Sequence, residues 1–370
     1  MPNIKQLITD IAFDLGFDAV GVTLANDLPR SNEHFLSWRK SGFAGEMDYL
    51  LRDDPINAKP TKIVPEAKSV ISLLVNYYTE PTEDPGPNFG RVAAYAVGLD
   101  YHKILRKKIK QFQERVKKEI SGEFISRGFS DSVPLLEKSF ARNSGLGFFG
   151  KHTLLINKPF GSYFFIAELI SNLDIEPTQE KSGTCGKCTR CIDVCPTNAL
   201  NTLTTPILDA RLCISYLTIE NKGIVPVELR EKIGEWIFGC DLCQEICPYN
   251  NIKNKKNKET TWEEFKPKSG IGHWLNLKEI LSIRSDEEFH SKFCHTSLSR
   301  TKRRGMLRNA AIVAGNKLSE EALPELIWLA KNESDPMIRE HALWALSKYE
   351  VKTPHWGISA TVNASTVPYE

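Results

Sequence analysis

The run CGKCTRCIDVCP, Cys185 to Pro196, has the spacing C-x2-C-x2-C-x3-C-P, as in bacterial ferredoxins. Three thiolates two residues apart wrap three irons of one cubane, while the fourth cysteine of such a run points away to a second cluster. The first cluster therefore demands a second, and CDLCQEICP, Cys240 to Pro248, supplies Cys240, Cys243 and Cys247. That later run lacks a leading cysteine, because Ile237 stands in its place, and Cys213 in RLCISYL is the natural replacement. Crossed wiring then gives Cys185, Cys188, Cys191 and Cys247 to one 4Fe-4S cluster, and Cys195, Cys213, Cys240 and Cys243 to the other. Zinc is the competing reading, since it also takes four cysteines; the close triplet and the proline after each terminal cysteine favour ferredoxin. Cys294, in KFCHTSL, has no partner in this scheme and reads as a structural thiol.

The rest of the chain must hold what these clusters serve. With 370 residues, 41% hydrophobic and 25% charged, it is long enough for two or three domains with a sizeable core. Forty-eight basic against forty-six acidic residues leave a net charge of +2, so nucleic-acid binding requires a local patch. No apolar run of membrane-spanning length and no export signal are legible. Eight of the nine cysteines fall between Cys185 and Cys247, which without an export signal favours metal over disulfides. The expectation is a cytoplasmic monomer. Cubanes pass single electrons, and a bare ferredoxin needs no long region on either side. The layout therefore predicts an internal acceptor with a large substrate, and an external low-potential electron donor is an expected partner.

Along the chain, the predicted fold class is α+β. Residues 1–175 alternate helical patterns with β-rich runs (DAVGVTLA, SVISLLVNYY, TLLINK, SYFFIAELI) and read as an α/β or α+β domain. Ile4, Leu7, Ile8, Ile11 and Leu15 share one face of a first helix. Residues 176–260 form the ferredoxin-like module, and the lysine-rich stretch from 250 to 270 reads as a solvated connector. In 275–350, LRNAAIVAGNK from Leu307 and IREHALWALSK from Ile338 align without gaps at an offset of 31 residues, with a partner helix between, as in a HEAT-like helical repeat. Residues 351–370 read as a disordered tail.

The stretch GLGFFGKH, Gly145 to His152, matches the dinucleotide fingerprint G-x-G-x-x-G and falls one hydroxyl short of a phosphate loop. A nucleotide loop needs a strand before the glycines and a helix after them. Here PLLEKSFARNS before Gly145 is helical and TLLINK after it is β-like. Gly145 is therefore predicted as a left-handed helix C-cap, and nucleotide binding is set aside.

Taken in order, SDSVPLLEKSFARNSGLGFFGKHTLLINKPFGSYFFIAELI, the ferredoxin run, RLCISYLTIENKG, FGCDLCQEICPYN and the terminal repeat resemble the epoxyqueuosine reductases of tRNA modification, over residues 1 to about 350. The resemblance implies cobalamin held between the N-terminal domain and the ferredoxin module, with reduction of epoxyqueuosine to queuosine at the wobble position of tRNA. It implies Asp131 as proton donor, because an epoxide oxygen leaves as water only when protonated; burial raising its pKa would suit that role. A helix cap from Ser130 or Asp131 is the structural alternative. Corrin contacts fall by local match on Asn57, Ala93, Asp131, Leu155, Ile166, Ser215 and Asp241, although the family's arginine is replaced by Asn57. His102 in DYHKIL grazes the cobalamin pattern D-x-H-x-x-G but is not assigned as a ligand. The tRNA contacts are expected from Lys222, Lys302, Arg303, Arg304 and Arg308. The alternatives are a reductive dehalogenase-like cobalamin enzyme and a non-catalytic electron carrier.

Overall fold

The computed structural model describes residues 3–50, 59–179, 182–200, 206–250 and 259–352. The first part comprises α1 (Ile4–Asp14), β1 (Ala19–Leu24), α2 (Pro29–Lys40), β2 (Ser69–Asn76), β3 (Phe89–Val92), α3 (Tyr101–Glu119) and β4 (Ser126–Phe129). It continues with α4 (Glu137–Asn143), β5 (Phe148–Phe149), β6 (Leu155–Ile156) and β7 (Phe164–Ser171). The Asn3 side chain caps α1, whose Ile8 and Ile11 are buried while Ile4, Leu7 and Leu15 pack at the edge of the same core. The main sheet has the order β1-β2-β7-β4. β2 is buried at every position, with α1 and α3 packed into one cluster and Phe140 and Ala141 of α4 in others. Every pairing in this sheet is antiparallel. Of the two expectations for residues 1–175, the α/β one is thereby corrected and the α+β one agrees, since no parallel βαβ unit is present in this sheet among the described residues.

The second part contains α5 (Arg190–Asp193), α6 (Ile214–Ile219), α7 (Val227–Ile233), β8 (Trp236–Phe238) and α8 (Leu242–Glu245). Then follow β9 (Trp274–Asn276), α9 (Leu277–Leu281), α10 (Asp286–Phe293), α11 (Lys302–Lys317), α12 (Leu323–Asn332) and α13 (Pro336–Lys352). A three-stranded sheet of order β8-β3-β9 draws one strand from each of the three predicted regions. Its Val92, Ile237 and Leu275 share one apolar core with α9 to α13, so burial ties the regions together. The solvated-connector reading of 250–270 is corrected for its described portion. Trp262 and Phe265 are buried in the N-terminal core, and the indole of Trp262 donates to Gly16 O at 2.7 Å. Residues 251–258 and the predicted tail beyond Lys352 lie outside the described residues.

The decoy glycine loop follows its predicted geometry. Helix α4 ends with Gly145 at φ +75°; Gly145 N–H donates to Arg142 O at 3.0 Å and Leu146 N–H to Ala141 O at 3.1 Å, a Schellman closure. A Cβ at Gly145 would meet Gln179 O at 2.5 Å, so the residue is fixed sterically as well. The chain then enters the β5–β6 hairpin.

Behind α4, Glu168 on β7 is fully buried. Ser72 donates to its Oε1 at 2.8 Å, and Oε2 has no partner among the described residues. Burial raises its pKa well above the ordinary value. The folded state thus holds a proton that the unfolded chain releases at about pH 4.3. Its stabilising contribution is complete below that pH and is lost as pH rises towards the folded pKa. Glu168→Gln is expected to flatten this dependence: in denaturant titrations its stability relative to the parent rises with pH. A constant difference from pH 5 to 9 would refute the assignment.

Candidate redox and cofactor site

The cysteine runs fold as short turns that bring distant thiols together. Cys191 lies on α5 and Cys243 on α8, while Cys213 is the residue before α6. Cys247 is buried against Phe148 and Ile156 with Cys185 at its edge, and Cys185 and Cys188 are its thiol neighbours, as they are of Cys191. Cys195 turns the other way, towards Cys213 and Cys240. Cys195, Cys213, Cys240 and Cys243 together line one cavity of about 320 Å³. The two groupings are those of the crossed wiring.

Burial pushes the thiol of Cys191 up to about 11 and raises those of Cys213, Cys240, Cys243 and Cys247, with neighbouring thiolates adding to the effect. Thiolates packed this way need positive charge in their midst, which iron ligation provides. Among the described residues no three such side chains converge on a single-ion site. A cubane instead presents a separate iron to each thiolate.

The cavity's remaining wall comes mainly from the N-terminal domain and includes Tyr77, Tyr95, Phe164, Leu155 and Ile166; Ser215 and Asp241 stand beside the thiols. Asp241 is 3% exposed; it accepts from Ala94 N–H at 2.6 Å and from the Gln244 amide at 2.8 Å, and burial pushes it up to about 6. Ala93 is buried one residue past β3, outside the cavity lining. Asn57 lies outside the described residues. Two lining residues that sequence reading missed are Lys138 on α4 and His152. Burial, reinforced by Lys138, holds His152 neutral with a pKa of about 4, and its Nε2 has no hydrogen-bond partner among the described residues. These residues fit the corrin that the resemblance implies: an apolar wall for the macrocycle, and an orphaned imidazole nitrogen, hydroxyl and ammonium for its peripheral amides.

Asp131 follows β4 with a left-handed backbone, φ +51°, a conformation costly for a non-glycine residue and common at functional loops. Its N–H donates to Glu137 Oε1 at 2.7 Å, and its Oδ2 accepts from Tyr101 Oη at 2.8 Å. Arg300 approaches at 3.4 Å and His102 Nε2 at 3.5 Å, while His102 Nδ1 contacts Asp100 at 2.7 Å. Desolvation raises the Asp131 pKa, but its side chain is 56% exposed, and the contacts with His102, Tyr101 and Arg300 outweigh that effect and lower it. The expectation of a burial-raised acid is corrected for this position of the loop. The neighbouring Glu137 is the raised group, pushed up to about 8 by burial and then by the Asp131 charge. The cap alternative is also corrected: α4 begins at Glu137 without a side-chain cap, and Ser130 Oγ donates to Ile166 O at 2.7 Å. Arg300 carried no motif, so nothing in the sequence singled it out.

The predicted basic patch is smaller than expected. Arg308 is 1% exposed and donates to the carbonyls of Leu217, Asn221 and Gly223 at 2.6–2.8 Å. Its repeat counterpart Arg339 bonds Glu333 O and Ser334 O in the same manner. Arg303 pairs with buried Glu333 and donates to Ile283 O. Arg303 and Arg308 are therefore corrected to structural roles. Lys222 and Lys302 are exposed, and Arg304 is half exposed although paired with Asp335.

The crossing makes an outcome that uncrossed wiring does not. Cys195→Ala is expected to remove the cavity-side cluster and keep the one held by Cys185, Cys188, Cys191 and Cys247, leaving about four irons per chain. Iron analysis with EPR of Cys195→Ala and Cys185→Ala checks this: the two variants should lose different clusters, whereas uncrossed wiring would remove the same cluster in both, and loss of the same signal in both would contradict the crossing.

Comparison with known proteins agrees with this architecture. Residues 184–250 match the model of a 4Fe-4S double cluster binding domain, and residues 58–132 match the model described as epoxyqueuosine reductase QueG, DUF1730. The chain is 38% identical over 353 residues to an epoxyqueuosine reductase of Pseudomonas aeruginosa, covering 94% of this chain and 95% of that one. Against the Escherichia coli epoxyqueuosine reductase it is 36% identical over 351 residues, covering 94% and 89%. A crystal structure of epoxyqueuosine reductase with an epoxyqueuosine-modified tRNA stem loop superposes with a TM-score of 0.83 at 30% identity, covering 94% and 91%. A Bacillus subtilis structure, described with its aspartate-bearing catalytic loop swung out of the active site, gives 0.81 at 30% identity, covering 94% and 91%. The chain belongs to the epoxyqueuosine reductase family.

Proposed function

We propose that this chain reduces the epoxide of epoxyqueuosine in tRNA to the alkene of queuosine, using cobalamin and two 4Fe-4S clusters. The observation that carries this reading is the cavity whose wall contains a whole thiol quartet, in a chain of this family. Converting an epoxide to an alkene takes two electrons and two protons and releases the oxygen as water. When bound, cobalamin supplies the low-potential cobalt that acts on the epoxide carbon. The two thiol groups would hold the clusters, through which electrons from an external low-potential donor would pass one at a time.

The chain's own residues handle binding and the proton. Leu155, Ile166, Ser215 and Asp241 would hold the corrin in the cavity they line, with Ala93 buried behind that wall. Asp131 delivers a proton to the departing oxygen. In the described position Tyr101, His102 and Arg300 hold it as a carboxylate beside the cavity; moved over the apolar wall, it would lose those partners and favour the protonated form. The swung-out aspartate loop described for the Bacillus subtilis enzyme supports reading this as a parked position. For tRNA, Lys222, Lys302 and Arg304 give salt-dependent phosphate contacts, and the modified base enters the cavity extruded from its loop.

The three regions act as a cobalamin-binding domain over 1–175, a ferredoxin-like module over 176–260 and a HEAT-like helical unit over 275–350. Among the described residues no helix is long and apolar enough to cross a membrane.

Anaerobic turnover of an epoxyqueuosine-bearing stem loop, with queuosine read by mass spectrometry, tests the proposal. Asp131→Asn is expected to lower the rate by about 10²–10⁴ with iron content unchanged. Unchanged turnover in that variant would remove Asp131 as the donor, and no queuosine from the loaded parent would remove the function.

A further inference from the structure

The loop GLGFFGKH, unused by any nucleotide, stands between the two thiol groups. His152 lines the cavity beside the quartet of Cys195, Cys213, Cys240 and Cys243. The preceding Lys151 turns the other way: its Nζ donates to Gly186 O at 3.0 Å and to Cys188 O at 2.9 Å. Both carbonyls lie within the C-x2-C turn of the outer quartet. Among the described residues no carboxylate pairs with Lys151, and its bonding partners are neutral, so its full positive charge is fixed against the backbone that carries two thiolates. Lys187 on the same turn and Arg190 at the start of α5 are exposed, and water and salt screen their charge.

We propose that Lys151 tunes the outer cluster electrostatically, stabilising its reduced state and so raising its reduction potential. The inference rests on the cluster reading above and extends it. Each electron gained adds a negative charge to the cubane, and a fixed, partly desolvated cation favours that charged form; local charge and hydrogen bonding are among the factors that set cluster potentials. The outer cluster thereby becomes the favoured point of entry for an electron from the external donor. Lys151 acts through the turn and not on substrate, so it is a positioning residue. It also ties the cluster-binding turn to the β5–β6 hairpin of the N-terminal domain, whose next residue faces the cavity.

The test is a redox titration followed by EPR on the anaerobically loaded, substrate-free protein, with the outer cluster assigned by loss of its signal in Cys185→Ala. Lys151→Gln is expected to lower the outer midpoint potential and leave the inner one unmoved. Lys151→Arg is expected to hold it near the parent value, and Lys187→Gln to change it little. An unmoved outer potential in a fully loaded Lys151→Gln protein overturns the proposal, as does an equal drop in the glutamine and arginine variants. Should Lys151→Gln not keep its iron, Lys151→Met is read in the same way. Loss of the outer cluster from both neutral variants with retention in Lys151→Arg still requires a cation at this place, whereas loss from all three makes the role one of shape and overturns it. Potentials are read without tRNA, so failure here is distinct from failure of the proposed reaction.

Discussion

Cys195 leaves the run in which it is encoded and joins thiols that arrive 18 to 48 residues later, and the site depends on that departure. A cubane needs four thiolates from four directions, which a short turn cannot supply alone. Each run therefore gives its last cysteine to the other group, and the chain between them, from Cys195 to Cys240, must return past its start. Strand β8, inside that return, pairs in parallel with β3 of the N-terminal domain. The return between the two cysteine runs is thus tied by strand pairing to the N-terminal domain, and residues of both line the cavity.

Charge is distributed unevenly around this frame. The cavity itself holds neutral His152 and a Lys138 whose pKa burial lowers. Just outside it, Asp131, His102, Asp100 and Arg300 form a hydrogen-bonded ionic group that keeps the Asp131 carboxylate charged. The contrast gives a short movement of the Asp131 loop chemical meaning: the same side chain is a stable anion in one place and favours its proton in the other. The backbone, already left-handed at Asp131 and tied to Glu137, is where such a movement would be resisted or released. Neighbouring carboxyl groups with opposite pKa shifts, here Asp131 down and Glu137 up, recur where acid and base roles are divided.

Most of what was legible in the sequence was local or periodic. Ligand spacing gave both thiol groups, including Cys213 as the stand-in for a missing leader, because cluster geometry limits which cysteines can be neighbours. The reversal of helix and strand around Gly145 was legible because a left-handed cap is a local requirement. The 31-residue offset located α11 and α13. What the sequence did not reveal depends on long-range packing. Strand direction in the main sheet cannot be read from alternation, so α/β and α+β both stayed open for the first 175 residues. Trp262 and Phe265 follow a lysine-rich stretch that masked their burial. Arg303 and Arg308 looked like a nucleic-acid patch because composition records charge but not the carbonyls and carboxylates that occupy it. Arg300 meets Asp131 across 169 residues, and no motif spans that distance.

The later thiol group, not the first, lines the cavity that would take the corrin. Pulsed EPR on protein loaded with cobalt(II) cobalamin and reduced clusters measures that placement directly, through the magnetic coupling of cobalt to each cluster. The stronger coupling is expected for the cluster of Cys195, Cys213, Cys240 and Cys243. Stronger coupling to the cluster of Cys185, Cys188, Cys191 and Cys247, or no uptake of cobalamin by the iron-loaded protein, would contradict it.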